Sequence, residues 1–300
     1  MPDLPPGMSW PRRPAVTDGP GVFSDHAARP WPLSFVAQVD FAEIQSAGRL
    51  EGFPLSGRLL LFCDPVDCPW GETIDDQTRS SVMFIMEHED RLARRAPPVE
   101  FTDPQHEILE TRDFVFEPRR LRPRLWLLPP PWGSRELSAI SGRAPQDWQE
   151  AYEQFWRDVA LQYPSAFGPH WPSTGGKIHQ VGGIAFSIQG PVEADCVKFA
   201  DDDYNNQPEV IAWFERPRDQ RPAVGSPEHE VQWQAFKAFD DARTPTYLER
   251  ADSWQLVLQI DSDSEAGMQW GDAGRIYVCI RKQDLAESRF ERCWTIVQCT

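Results

Sequence analysis

The stretch Ser253–Ile280, SWQLVLQIDSDSEAGMQWGDAGRIYVCI, constrains the fold of this chain more than any other. Leu256, Val257, Leu258 and Ile260 are strand formers, and Gln259 and Asp261 are the polar members of that run. Asp263 to Gly274 then supplies an acidic, turn-rich connection. Ile276, Tyr277, Val278 and Ile280 resume the strand pattern. Two β-prone runs joined by such a connection read as neighbouring strands.

The opening half repeats the arrangement. LSFVAQVDF at 33–41 aligns so that Gln38 matches Gln259 and Asp40 matches Asp261. GRLLLF follows, with Gly57 matching Gly274 and Arg58 matching Arg275. A third β-prone run closes each set, SVMFIME at 81–87 and CWTIVQC at 293–299. Three similar elements in one order predict an internal duplication. The expected fold is α+β and β-rich, with two related antiparallel sheet units and a few covering helices. The halves are expected at residues 1–135 and 136–300, the second carrying the long helix, packed as one compact unit.

Between the strand sets the pattern changes. Pro5, Pro6 and Gly7 predict a rigid turn anchored by Trp10. The Arg- and Pro-rich run at 117–133 predicts an extended crossing that lays Leu125, Trp126, Leu127 and Leu128 on the core. Pro145 to Tyr163 reads as the longest helix, with Trp148, Tyr152, Phe155, Trp156 and Val159 on one face. Lys177–Gln189 predicts a Gly-Gly turn leading into a strand, and Val210–Phe214 a short strand piece. Ser226 and Pro227 start a further helix running to about Ala242, which buries Val231, Ala235, Phe236 and Phe239.

Composition limits function. The formal net charge of -16 argues against nucleic-acid binding, which needs a basic surface, and suits a basic protein partner. No apolar run reaches the roughly 20 residues of a membrane span, and the start lacks the apolar segment of a signal peptide. The six Cys form no C-x-x-C pair, so reduced thiols in a cytoplasmic protein are expected.

Chemistry has few candidates. Asp261, Asp263, Glu265 and Asp272 alternate near Gly267 and could hold a hard cation, but the spacing departs from an EF-hand and a strand precedes the loop. Turn capping, or pairing with Arg275 and Arg281, is the structural alternative. Gly182 and Gly183, with His179 and Gln189 nearby, could offer backbone amides to an anion or small ligand, the alternative being a ligand- or metal-binding protein or an unrecognised enzyme that uses this turn. No phosphate-loop or dinucleotide signature follows them. Asp201, Asp202 and Asp203 with Tyr204 combine charge and an aromatic ring, the composition of a partner-binding patch. There is no G-x-S-x-G elbow, the six His are scattered, and no residue pattern calls for a cofactor.

Taken together, PDLPPGMSWP, LSFVAQVDF, GRLLLF, HQVGGIAFSIQ, LVLQIDSD, WGDAGRIYVCI and RFERCWTIVQC resemble the YwqG-like family of uncharacterised bacterial proteins. The resemblance spans both halves and implies a soluble, β-rich α+β fold. Through the occurrence of the family beside bacterial toxin systems, it also implies an immunity-type interaction role.

Overall fold

The computed structural model describes residues 1–15, 30–102, 114–143, 145, 147–163, 177–202, 204–214 and 222–299. Three short strands, β1 (Asp3–Leu4), β2 (Arg12–Arg13) and β3 (Trp31–Pro32), precede the first meander. That meander is β4 (Ser34–Asp40), β5 (Arg58–Cys63) and β6 (Ser80–Ile85), antiparallel in sequential order. β7 (Ala93–Arg94) pairs with β1. In the second half, β8 (Gln180–Val181), β9 (Trp254–Asp261), β10 (Arg275–Arg281) and β11 (Trp294–Gln298) form an antiparallel sheet in the order β11-β10-β9-β8.

Alternation along the strands creates the layers. Leu59, Leu61 and Cys63 of β5 face the same core as Val257 and Ile260 of β9 and Ile276, Val278 and Ile280 of β10. The two sheets therefore share one core. Leu60 and Phe62 point the other way, onto Leu4 and Leu33 of the N-terminal segment. Tyr277 and Cys279 likewise point away from the shared core, onto a helical cover. A one-residue slip would turn these apolar sets to the wrong face, so burial on both sides fixes the register.

The two meanders match in register. Asp40 lies opposite Arg58, and Asp261 opposite Arg275. Each first strand has one irregularity in its pairing with the second strand, between Phe35 and Ala37 in β4 and between Leu256 and Leu258 in β9. The extra residues, Val36 and Val257, each lie two places before the matching glutamine. In both halves that glutamine accepts a backbone N–H from the segment covering the sheet. Asp3 N–H donates to Gln38 at 3.2 Å, and Phe186 N–H donates to Gln259 at 2.9 Å.

The helices are α1 (Phe41–Ala47), α2 (Arg135–Ser141), α3 (Trp148–Gln162), α4 (Val192–Cys196), α5 (Pro208–Phe214), α6 (Pro227–Arg250) and α7 (Lys282–Ala286). Asp40 ends β4 and begins α1: its carboxylate accepts from the Ala42 and Glu43 N–H groups at 2.9 and 3.3 Å. α3 buries Tyr152, Trp156 and Val159 as its aromatic spacing predicts, but Phe155 is exposed. Gly7 has a positive φ at the predicted N-terminal turn, and Trp10 donates its indole N–H to Leu33 O at 2.7 Å.

Four expectations are corrected. The longest helix is α6, which continues through Pro245 to Arg250 and exposes Val231; Tyr247 is its one buried residue among those described. Val210–Phe214 belongs to a helix. Beyond β8 the run Ile184–Gln189 forms no strand; side-chain acceptors on Gln259 and Gln298 take its N–H groups instead. In the crossing segment Trp126 and Leu128 pack inward on the α3 cluster, whereas Leu125 and Leu127 face solvent.

Candidate functional site

The Gly182–Gly183 turn is built for packing. Both residues have positive φ, at 64° and 76°. A side chain at Gly182 would meet Leu50 at 3.0 Å and Phe53 at 3.2 Å, so this turn presses against the first half of the chain. The Gly182 N–H donates to Val257 O at 3.0 Å, and the Gln180 side-chain amide donates to Gly182 O and Ile184 O at 2.6 and 3.0 Å. The Gly182 amide is thus unavailable to the anion suggested by the sequence. His179 is drawn elsewhere: its Nδ1 accepts from Asp261 N–H at 3.3 Å, leaving Nε2 3.7 Å from Asp263. Gln189 is exposed, and its N–H donates to Gln298 Oε1 at 3.1 Å.

The acidic loop is occupied by internal partners. Asp261 is buried, accepts Ile178 N–H at 2.7 Å and is clamped by Arg275 Nε. Burial raises its carboxyl above the usual range, against the opposing pull of Arg275. Asp263 accepts Glu265 N–H at 2.9 Å and lies 2.5 Å from Lys177 Nζ, which also approaches Glu265 at 3.6 Å. Desolvation pushes Asp263 up, but the Lys177 bond, the Glu265 N–H and the charge of Lys177 together outweigh it and hold the carboxyl below its usual range. Asp272 is exposed. Among the described residues no group of three His, Cys, Asp or Glu side chains is placed to hold a metal ion.

The third candidate changes character. Asp201 accepts Trp254 Nε1–H at 3.0 Å and Arg281 Nε–H at 3.1 Å, with Arg250 at 3.7 Å. Asp202 accepts from Arg243 at 3.2 Å. Tyr204 is buried, donates to Asp240 at 2.9 Å and carries Lys198 Nζ 4.2 Å above its ring. Its side chain therefore anchors the helical cover and offers no exposed ring to a partner. Asp203 lies outside the described residues.

The structure assembles two clefts that the sequence did not single out. One, of about 270 Å³, is lined by Leu4, Met8, Trp10, Arg12, Arg95 and Glu100 among others. The second, of about 300 Å³, opens where β4 and β6 end and β5 begins, and is lined by Asp40, Gly57, Arg58, Met86, Glu87 and Glu89 among others. Among the described residues Arg58 is the one Lys or Arg that lines it, beside His88, and three carboxylates surround it: Glu89 at 3.1 Å, Asp40 at 3.4 Å and Asp3, which Arg94 also meets at 3.4 Å, at 3.7 Å. Glu87 is exposed and has no ion-pair partner among the described residues. The equivalent pair in the second half, Asp261 and Arg275, is sealed by Ile178 and Phe186. The sequence signals for this cleft were the Asp40–Arg58 match and the charged run Glu87–Asp90.

These features describe an α+β protein whose two meander sheets share one core, with an acidic cleft at one end of the first. The chain belongs to the family described as Domain of unknown function (DUF1963), which matches residues 1–299. No curated protein matches it.

Proposed function

We propose that this chain is a protein-interaction module that receives a basic partner at the cleft formed by Asp40, Glu87 and Glu89. The observation that carries the reading is the excess of carboxylate there: Asp40, Glu89 and Asp3 gather on Arg58, only Asp3 among them has a second cation in Arg94, and Glu87 stands apart. The chain as a whole carries a net charge of -16, which speeds encounter with a basic surface and disfavours acidic competitors. Neutralisation of a basic toxin, as by an immunity-type protein, is the form of this function that such a surface suits. The motif order from PDLPPGMSWP to RFERCWTIVQC supports a place beside the YwqG-like proteins within DUF1963. Six unbridged cysteines support a reducing, cytoplasmic setting.

The test is affinity capture on the purified chain from extract of the source organism, at low and moderate salt. A basic protein should be retained, released by salt, and lost from Glu87→Lys/Glu89→Lys. Retention unaffected by both salt and charge reversal would count against the reading.

A further inference from the structure

The first of the two clefts, of about 270 Å³, carries a charge opposite to that of the chain around it. Among the described residues its wall holds Arg12, Arg95 and Glu100, two guanidiniums to one carboxylate, on a chain of net charge -16. Arg12 is committed, since it meets Glu100 at 2.5 Å. Arg95 forms no ion pair among the described residues. Its Nη2 donates to Pro5 O at 3.4 Å, and its Nε is buried with no hydrogen-bond partner. A guanidinium carries five N–H donors, so most of this one's capacity is unspent. The fold does not need a charge there. With Asp3 matched to Phe186, the turn Pro5–Gly7 matches Ile188–Gly190, and Gly7 and Gly190 both have positive φ. In the second half a neutral side chain holds that turn: Gln298 accepts from Ile188 and Gln189 N–H and donates to Gly190 O. The rest of the first cleft is apolar, with Leu4, Met8 and Trp10 among its residues. Trp10 spends its indole N–H on Leu33 O and stands edge-on to Phe62 and Phe101, so its partly exposed ring offers the cleft an apolar surface.

We propose that this cleft binds an organic carboxylate, with an apolar or aromatic body on Leu4, Met8 and Trp10 and the carboxylate on Arg95. The planar fork of a guanidinium matches the two oxygens of a carboxylate. Burial of the body on the apolar wall separates such a ligand from inorganic anions. Glu100, held by Arg12, repels a second negative charge and so favours a monoanion over a dianion. The volume suits a body of about one ring or a short chain. A free acid and the C-terminus of a peptide ending in an apolar residue share this chemistry. The site is separate from the acidic cleft, and the proposal does not depend on the interaction reading above.

The test titrates 3-phenylpropionate, indole-3-propionate and hexanoate against the intact chain by saturation-transfer NMR, each beside its neutral amide. N-acetyl-glycyl-phenylalanine stands for a peptide terminus. At least one carboxylate should bind saturably, and its amide roughly tenfold more weakly or worse. Tighter binding of the peptide than of the free acids names a chain end as the source, and the reverse order names a small acid. Two variants locate the site. Arg95→Gln keeps a donor for Pro5 O and removes the charge, so it should weaken the carboxylate roughly tenfold and leave the amide unchanged. Ala96→Trp, at an exposed position on the cleft wall, leaves Arg95 in place and should block carboxylate and amide alike. Circular dichroism and the urea midpoint check that both variants are folded. Saturable binding of none of the four carboxylates overturns the inference. Equal affinity for carboxylate and amide, equal affinity of wild-type protein and Arg95→Gln, or binding that survives Ala96→Trp also overturns it.

Discussion

Replacing Gln259 by Met should destabilise the protein far more than replacing Gln38 by Met. The two glutamines hold matching places, but Gln259 is fully buried and Gln38 is partly exposed. Gln259 accepts Phe186 N–H at 2.9 Å and donates to Ile178 O at 3.0 Å. Methionine conserves the volume and removes both bonds. Each buried backbone group left without a partner costs about 1–3 kcal/mol, so the pair comes to roughly 2–6 kcal/mol. Gln38 exchanges longer bonds with Asp3, at 3.2 and 3.4 Å, and water can replace them. Its loss should cost roughly 0.5–1 kcal/mol. Equilibrium unfolding in urea measures both, read from the midpoint with the slope unchanged. A Gln259 variant no less stable than the Gln38 variant would refute the claim that side-chain amides tie the covering segment to the second sheet.

Other outcomes follow from the same structure. Gly182→Ala should cost more than Gly7→Ala in urea unfolding: positive φ penalises both by about 1–3 kcal/mol, and only at Gly182 does the added carbon press on Leu50 and Phe53. Burial raises Glu193 to about 7 and Asp195 to about 6, so these carboxyls favour the protonated folded state. Their contribution to stability should therefore fall as pH rises from about 4 to about 7. Asp195→Asn, which still accepts from Gln298, should flatten its part of that dependence in pH-resolved unfolding. Calcium, magnesium or a chelator should leave the melting temperature unchanged, because Asp261 and Asp263 are already paired; a calcium-dependent rise abolished by Asp263→Ala would contradict this. If the two meanders are copies of one unit, a crystal structure will superpose Ser34–Ile85 on Trp254–Gln298 with Gln38 on Gln259 and Arg58 on Arg275. A different strand order would dismiss the duplication.

The meanders were legible because period-two apolar runs carry matched Gln, Asp and Arg markers. What the sequence hid has identifiable physical causes. Ile184–Gln189 reads as a strand by composition, yet its N–H groups are satisfied by glutamine side chains that lie far along the chain. Val210–Phe214 is too short for its apolar residues to separate helix from strand. Pro245 suggests a stop, but α6 runs through it. Tyr204 follows an acidic run and reads as exposed, whereas Asp240 and Lys198 enclose it. Asp201 looked free because Arg250 and Arg281, which neutralise it, lie distant in sequence. The acidic cleft was half visible: Asp40 and Arg58 stood out as repeat markers, but only the fold brings Glu89 and Asp3 to the same guanidinium.

The acidic cleft is tested most directly by a two-dimensional NMR titration of the purified chain with a short Lys-rich peptide at low salt. Amide shifts should concentrate at Asp40, Gly57, Arg58 and Glu87–Glu89, weaken with salt and vanish in Glu87→Lys/Glu89→Lys. Shifts spread evenly over the acidic surface, or unchanged by the charge reversal, would contradict the account.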